Sequence, residues 1–476
     1  VSQSPHYGYP PQTPPPPVTS SFTASRLSSG GGSGRGPLRR KTVLGGLALV
    51  LLLAVGAWAA WAFTGDDSPG AKKPAQTAKG PAAGSVAWMA KPRTTPEKKF
   101  NSALGTWFTD HLVVKAEPDM VTAYDVKSGE KKWSFILTGP LCAASRESEG
   151  NVAVVATMFG GHCIDLKAFD LRDGHRTWDE LVLADSGLGD TLSPEKWGKS
   201  EPRIALHEGH VYMTWNTGEQ TRRLSDGKRV DEQKHDACEW VDAAGGAQLI
   251  SITYCGEKEI QIRSLDPGKL GKPRWSTAMP RNDGFLSIVS TRPLVLSQSP
   301  GKNSADDQFD FVTLDPATGK EKARIAYNRN WRLGDCFLVT SGCTGALVDQ
   351  DSLYVAGQGL TYAYDLTGGK ERWTYKGDAN RSTAPVAVHD GRLAVYTPAT
   401  SDRPGRLAYV ATSSGKALRT VDHSNDARDR KNEAVMGRIA GFPRLVDERL
   451  LLIKDGGLAD ENEGVILAIS APEGKN

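Results

Sequence analysis

Two histidines flank a glutamate in "LHEGHVY" (Leu206 to Tyr212), residues that in another arrangement would hold zinc. The zinc motif H-E-x-x-H works because a helix turns both rings to one face and leaves the glutamate as general base. Here His210 follows Glu208 one residue too early, and the flanking pattern is turn and strand. A second stretch, "VHDGRLAVY", puts His389 in the same slot before an acid and a glycine, which makes the slot a turn position. The acidic stretches "NSADDQFD" (Asn303 to Asp310) and "DGGLADENEG" (Asp455 to Gly464) lack the alternating oxygen ligands of a calcium loop. Neither a G-x-S-x-G elbow nor a phosphate-binding glycine loop is present. No catalytic, cofactor-binding or metal residue is assigned, and the chain reads as non-catalytic.

Thiol chemistry is the other candidate. The six cysteines are Cys142, Cys163, Cys238, Cys255, Cys336 and Cys343. With no C-x-x-C spacing, redox exchange and zinc binding are disfavoured, and an even count predicts structural disulfides.

The elements that must position these residues are strands. From residue 85 onward, short apolar runs alternate with Gly- and Asp-containing turns, and helical periodicity is almost absent. Two signals recur in fixed order. A tight turn enters an apolar strand at "TDHLVV" (Thr109), "EGNVAVV" (Glu149), "EGHVYM" (Glu208), "GGAQLISI" (Gly245), "TRPLVL" (Thr291), "QDSLYV" (Gln350), "DGRLAVY" (Asp390) and "DERLLLI" (Asp447). Each is followed by a second hairpin such as "AYDVKSGEKKW", "AFDLRDGHRTW" or "AYDLTGGKERW". A period of 37 to 59 residues fits a four-stranded sheet with variable loops. The expectation is an all-β, eight-bladed β-propeller of four-stranded antiparallel blades over 85–476.

Within the second hairpin, Asp caps turn amides and Gly supplies a left-handed conformation. Trp133, Trp178, Trp275 and Trp373, four residues after a turn glycine, are expected to pack on the neighbouring blade as core. The last repeat ends after three strands. "SVAWMAK" (Ser85 to Lys91), with Trp88, is therefore expected to supply the fourth and close the ring. Cys142, Cys238 and Cys343 fall at one repeat position on the innermost strand. This predicts pairs of Cys142 with Cys163, Cys238 with Cys255, and Cys336 with Cys343.

Ahead of the propeller, residues 1–42 form a disordered Pro/Ser/Gly-rich tail containing Arg26, Arg35, Arg39, Arg40 and Lys41 but no acid. Residues 43–63, "VLGGLALVLLLAVGAWAAWAF", are uncharged and long enough for a transmembrane helix. Basic residues before it, and Asp66-Asp67 after it, orient the tail to the cytosol and the propeller outside the membrane. A cleaved signal peptide ending at "AWA" (Ala57 to Ala59) is the competing reading. Residues 64–84 form a flexible linker. A net charge of +3 argues against a nucleic-acid partner.

The unit "YVAGQGLTYAYDLTGGKERWTYK" resembles the repeat of the PQQ-like (quinoprotein-type) propellers. The order of Pro-rich tail, span and propeller is similar to membrane-anchored actinobacterial proteins of that kind. The resemblance implies two alternative functions, a PQQ-dependent dehydrogenase or an envelope protein-assembly factor. The sequence has no adjacent Cys-Cys pair of the sort that covers the quinone in the dehydrogenases, so no cofactor is assigned. What remains is a binding, scaffold or sensor module in the cell membrane.

Long insertions at Leu181 to Pro202, Val230 to Glu239, Gln298 to Gln308, Tyr327 to Gly342 and Asp422 to Phe442 all fall on one rim of such a propeller. They offer Trp197, Trp240, Trp331 and Arg332 to a protein or cell-envelope ligand. The Pro-rich tail offers itself to a cytosolic partner.

Overall fold

In the hairpin Tyr364 to Trp373, the Asp365 carboxylate accepts from the Gly368 amide at 2.7 Å, and Gly369 turns the chain with φ +69°. The repetition of this hairpin builds the protein. The computed structural model describes residues 82–471 apart from 93–103, 183–201, 299–308, 328–342, 455–463 and several shorter stretches. The chain divides into units 1–76 and 77–476, and all described residues belong to the second. The tail, the span and most of the linker therefore lie outside the described residues. Among those described, no helix is long and apolar enough to cross a membrane.

The described strands form eight antiparallel four-stranded sheets. Blades 1 to 7 are β2–β5 (106–136), β6–β9 (141–181), β10–β13 (203–234), β14–β17 (238–280), β18–β21 (286–327), β22–β25 (346–376) and β26–β29 (384–422). Blade 8 is β30 (Gly441–Val446), β31 (Arg449–Lys454) and β32 (Ile466–Ser470), completed by β1 (Val86–Ala90). Strand β1 pairs antiparallel with β32, Trp88 opposite Ala468 and Ala90 opposite Ile466. The expected ring closure is thus observed. In each blade the second strand is buried, as in β31 and in β3 (Leu112–Glu117), while an outer strand such as β21 (Glu321–Tyr327) alternates exposed and buried residues.

The tryptophans set the seams between blades. Trp88, Trp133, Trp178, Trp275 and Trp373 each lay their ring against the turn glycine of the next blade, at Gly129, Gly174, Gly227, Gly319 and Gly415. A Cβ on Gly319 would come within 2.3 Å of Trp275, and φ there is +70°. Four of the indoles also donate across the seam at 2.7 to 2.9 Å: Trp88 to Val126 O, Trp178 to Leu224 O, Trp275 to Pro316 O and Trp373 to Thr412 O.

Three seams have Asp231, Ala323 or Arg419 at the tryptophan position, and each is held by other contacts. Between blades 3 and 4, Arg263 makes a two-pronged bond to buried Glu219 (3.0 and 2.8 Å), which also accepts from the Tyr212 hydroxyl at 2.5 Å. Asp231 accepts from the Leu270 amide at 2.7 Å across the same seam. Between blades 5 and 6, the Tyr327 hydroxyl donates to Ala356 O at 2.5 Å. Between blades 7 and 8 lies a helix, α1 (Ala427–Met436), whose Met436 packs with Leu450, Leu452 and Leu467.

Two expectations need correction. Val230 to Glu239 is mostly strand rather than a long loop, because β13 (Arg229–Lys234) runs on to Lys234 and β14 (Cys238–Ala244) starts at Cys238. Asp422 to Phe442 contains α1, capped by Asp426, which accepts from the Arg428 and Asp429 amides at 2.8 and 3.2 Å.

Removing the Trp88 ring should cost about 3 kcal/mol, toward the low end for Trp→Ala because the ring is only half-buried. Trp88→Ala measured by urea unfolding should show this loss, and a cost below 1 kcal/mol would deny the closing strand its role. Arg263→Ala, which strands a buried carboxylate, should cost about 3–5 kcal/mol. The double variant Arg263→Met with Glu219→Leu should recover most of that loss.

Candidate functional site

Successive turns alternate between two rims. The hairpins joining first to second and third to fourth strands share a tight-turn rim. The middle hairpins and blade-to-blade connections share a loop rim.

On the tight-turn rim the histidine turns are structural. Glu208 and Asp390 both adopt φ +48°, the left-handed conformation of a tight turn. The buried His207 ring contacts Gly246 O through Nδ1 at 2.8 Å, and His210 contacts Glu208 O at 2.7 Å. Among the described residues, no group of three or more His, Cys, Asp or Glu could hold a metal.

The axis is latched on this rim by the turn after β6 (Leu141–Ala144). Arg146 reaches from blade 2 to blade 5, donating to Ile288 O at 2.7 Å. Glu147 accepts from the Leu206 amide of blade 3 at 3.3 Å and the Gly245 amide of blade 4 at 2.9 Å. Loss of water around the Glu147 carboxyl raises its pKa, outweighing Arg146 and the two amides, which lower it. Gly245 admits no side chain, since a Cβ there would lie 1.8 Å from Leu206 O. Asp242 continues the latch, accepting from the Ser287 hydroxyl and the Ile288 amide at 2.9 and 2.8 Å.

On the loop rim, Cys142 and Cys163 form a disulfide between β6 and β8 (His162–Asp170), with Cα atoms 5.8 Å apart. Register shifts at Leu141/Ala143 and Thr157/Met158 bring the two strand ends together. The backbone places Cys238 opposite Cys255, and Cys343 is disulfide-bonded. Cys336 and the side chains of Cys238 and Cys255 lie outside the described residues.

Three large apolar residues stand exposed at this end of blades 1 and 2: Ile136 (64%), Phe159 (57%) and Leu181 (38%). Thr138, two residues beyond Ile136, donates to Asp165 at 2.9 Å, and Asp165 is the ladder partner of Leu181. Phe159 ends β7 (Val152–Phe159) at the same hairpin.

Also on this rim, α1 sends Glu433 into a buried niche. Glu433 Oε1 accepts from the Tyr396 hydroxyl at 3.0 Å and from His423 Nδ1 at 2.8 Å. His423 stacks on Tyr396, and burial together with Glu433 raises the Tyr396 pKa well above its ordinary value. All three are buried, so the cluster fixes the helix rather than meeting a substrate. Neither this niche nor the Arg146–Glu147 latch was read from the sequence.

Of the expected rim residues, Trp240 lies within β14 opposite Thr253, beside a register shift, and not in a loop. Trp197, Trp331 and Arg332 lie outside the described residues, as do residues 303–308 and 455–463 of the acidic stretches.

Fold and seams define an all-β, eight-bladed propeller of PQQ-like repeats. The profile of the family described as outer membrane protein assembly factor BamB matches residues 77–239 and 308–462, and the chain belongs to that family. Among solved structures it is similar to BamB from Moraxella catarrhalis, with 14% identity, 78% of this chain and 95% of that chain covered, and a TM-score of 0.44. It is also similar to the dihydro-heme d1 dehydrogenase NirN in complex with DHE, at 13% identity, 70% coverage of each chain and a TM-score of 0.44. No curated protein sequence matches the chain.

Removing the Glu147 carboxylate should leave two backbone donors of different blades without their acceptor, at a cost of about 2–4 kcal/mol. Glu147→Ala measured by chemical denaturation should show this loss, with faster amide exchange at Leu206 and Gly245 than elsewhere in blades 3 and 4.

Proposed function

We propose that the protein is a membrane-anchored, extracytoplasmic propeller that performs no chemistry and binds a protein or other cell-envelope ligand on its loop rim. The observation that carries this reading is the exposed apolar group Ile136, Phe159 and Leu181 beside the Cys142–Cys163 disulfide. All three stand at strand ends of one rim on two neighbouring blades, and exposed apolar side chains concentrated at one end of a fold favour an interaction site there. The disulfide and ladder hold this surface in shape before binding, which reduces the entropy lost on association. The family description, an assembly factor, favours a protein as ligand. The anchor rests on the uncharged run 43–63 and the basic residues ahead of it.

A photo-crosslinking amino acid placed at Phe159 in living cells should capture a distinct partner. The same group at Leu418, which is exposed near the opposite rim, should not. With the purified partner, Phe159→Asp should weaken binding by about tenfold or more, as for a central interface aromatic, without moving the unfolding midpoint. Equal capture from both positions, or none from Phe159, would reject the reading.

A further inference from the structure

On the opposite, tight-turn rim, a half-open pocket of about 420 Å³ lies between blades 4 and 5, lined by Gln248, Ser264, Arg274, Trp275, Arg292 and Pro316 among others. This volume lies in the range of small-ligand sites. Two of its lining residues are arginines and none is acidic. Arg274 is paired with Glu208 of blade 3 at 3.4 Å. The Arg292 guanidinium has no hydrogen bond or ion pair among the described residues, although its backbone amide donates to Ser290.

The other wall is apolar, formed by Trp275, Pro316 and Ala317. It is also firm: the indole is tied to Pro316 O at 2.8 Å, and Gln248 is tied to Thr291 O at 3.1 Å. The unpaired Arg292 guanidinium beside a firm apolar wall presents planar, two-pronged donors to an anion and a surface to whatever carries it. With no acid in the lining and Arg292 unpaired among the described residues, the field in the pocket favours negative charge.

The geometry points to a binding site for a carboxylate borne on an apolar body, either the C-terminus of a peptide ending in an apolar residue or a small aromatic acid. Arg292 holds the carboxylate, and Trp275 and Pro316 receive the body. The site is on the rim remote from Ile136, Phe159 and Leu181, so it stands or falls separately from the loop-rim reading.

Titration calorimetry on the full chain tests it with four probes: the peptide Ala-Ala-Phe, its C-terminal amide, phenylacetate and inorganic phosphate. At least one free acid should bind with a dissociation constant of about 1 mM or tighter, and the amide should bind at least tenfold more weakly. Binding of the peptide acid alone names a chain terminus as the source, and binding of phenylacetate names a small acid. Arg292→Gln should weaken the acid by about tenfold, the scale of a lost charge-assisted pair, whereas Arg292→Lys should retain part of it. Arg292→Ala serves as the second variant should Arg292→Gln fail to fold. Absence of saturable binding by either acid, equal binding of acid and amide, binding of phosphate alone, or unchanged binding in a folded Arg292→Gln or Arg292→Ala would overturn the assignment.

Discussion

The structure depends on one pairing, β1 against β32, because a ring of separate sheets is shut only when its last blade is completed by its first strand. Without β1, blade 8 would present the unpaired amides and carbonyls of β32, a strand whose residues are all buried, to solvent or to another chain. The pairing joins the earliest described strand to the latest, so the two ends of the folded unit are clasped by backbone bonds, and the Trp88 indole then seals the closed blade against blade 1. Trp88 does in the closing blade what Trp133, Trp178, Trp275 and Trp373 do in theirs, and so the closure is one more copy of the ordinary seam.

That seam shows why the repeat carries glycine and tryptophan together. A ring laid on a turn needs the turn to lack a side chain, and a turn with φ near +70° already favours glycine. One residue type therefore meets a steric and a conformational requirement at once. Where the tryptophan is missing, polar or helical contacts fill in: Arg263–Glu219–Tyr212 between blades 3 and 4, Tyr327 between blades 5 and 6, and α1 between blades 7 and 8. A buried ion pair adds little net stability compared with apolar packing. It does impose geometry, since the two-pronged bond forms only when β12 (Gly218–Arg223) and β16 (Glu259–Leu265) sit in one register.

The repeat made blade number, strand order and the closing strand legible, because each rests on local turn chemistry that recurs. The Cys142–Cys163 pair was legible for the same reason: position within a repeat stands in for position in space. What the sequence hid were departures from the repeat. Helix α1 is charged on nearly all sides, so it has no apolar stripe to betray it; Asp426 and Gly437 at its ends were the only readable signals. Val230 to Glu239 looked like an insertion because its residues are polar, yet an outer strand needs few apolar residues when one face meets water. Arg146 and Glu147 look like loop residues in "ASRESEG". Their partners are 142 and 98 residues away, and no local pattern encodes such distances.

These departures also separate the two rims. On the tight-turn rim, turn length is constrained by the seam glycines and by the latch on the axis. Lengthening a turn there would pull a ring off its glycine or an amide off Glu147. The loop rim bears neither constraint, and its connections could lengthen, as the one holding α1 has, without disturbing a seam. The same division governs what each rim can bind. A surface of exposed side chains on loops and strand ends suits a broad partner, whereas a tight-turn rim offers only the gaps between blades. The gap between blades 4 and 5 is lined by arginines at its mouth and by the seam tryptophan at its wall, so any ligand held there would bear directly on the contact that keeps those two blades together.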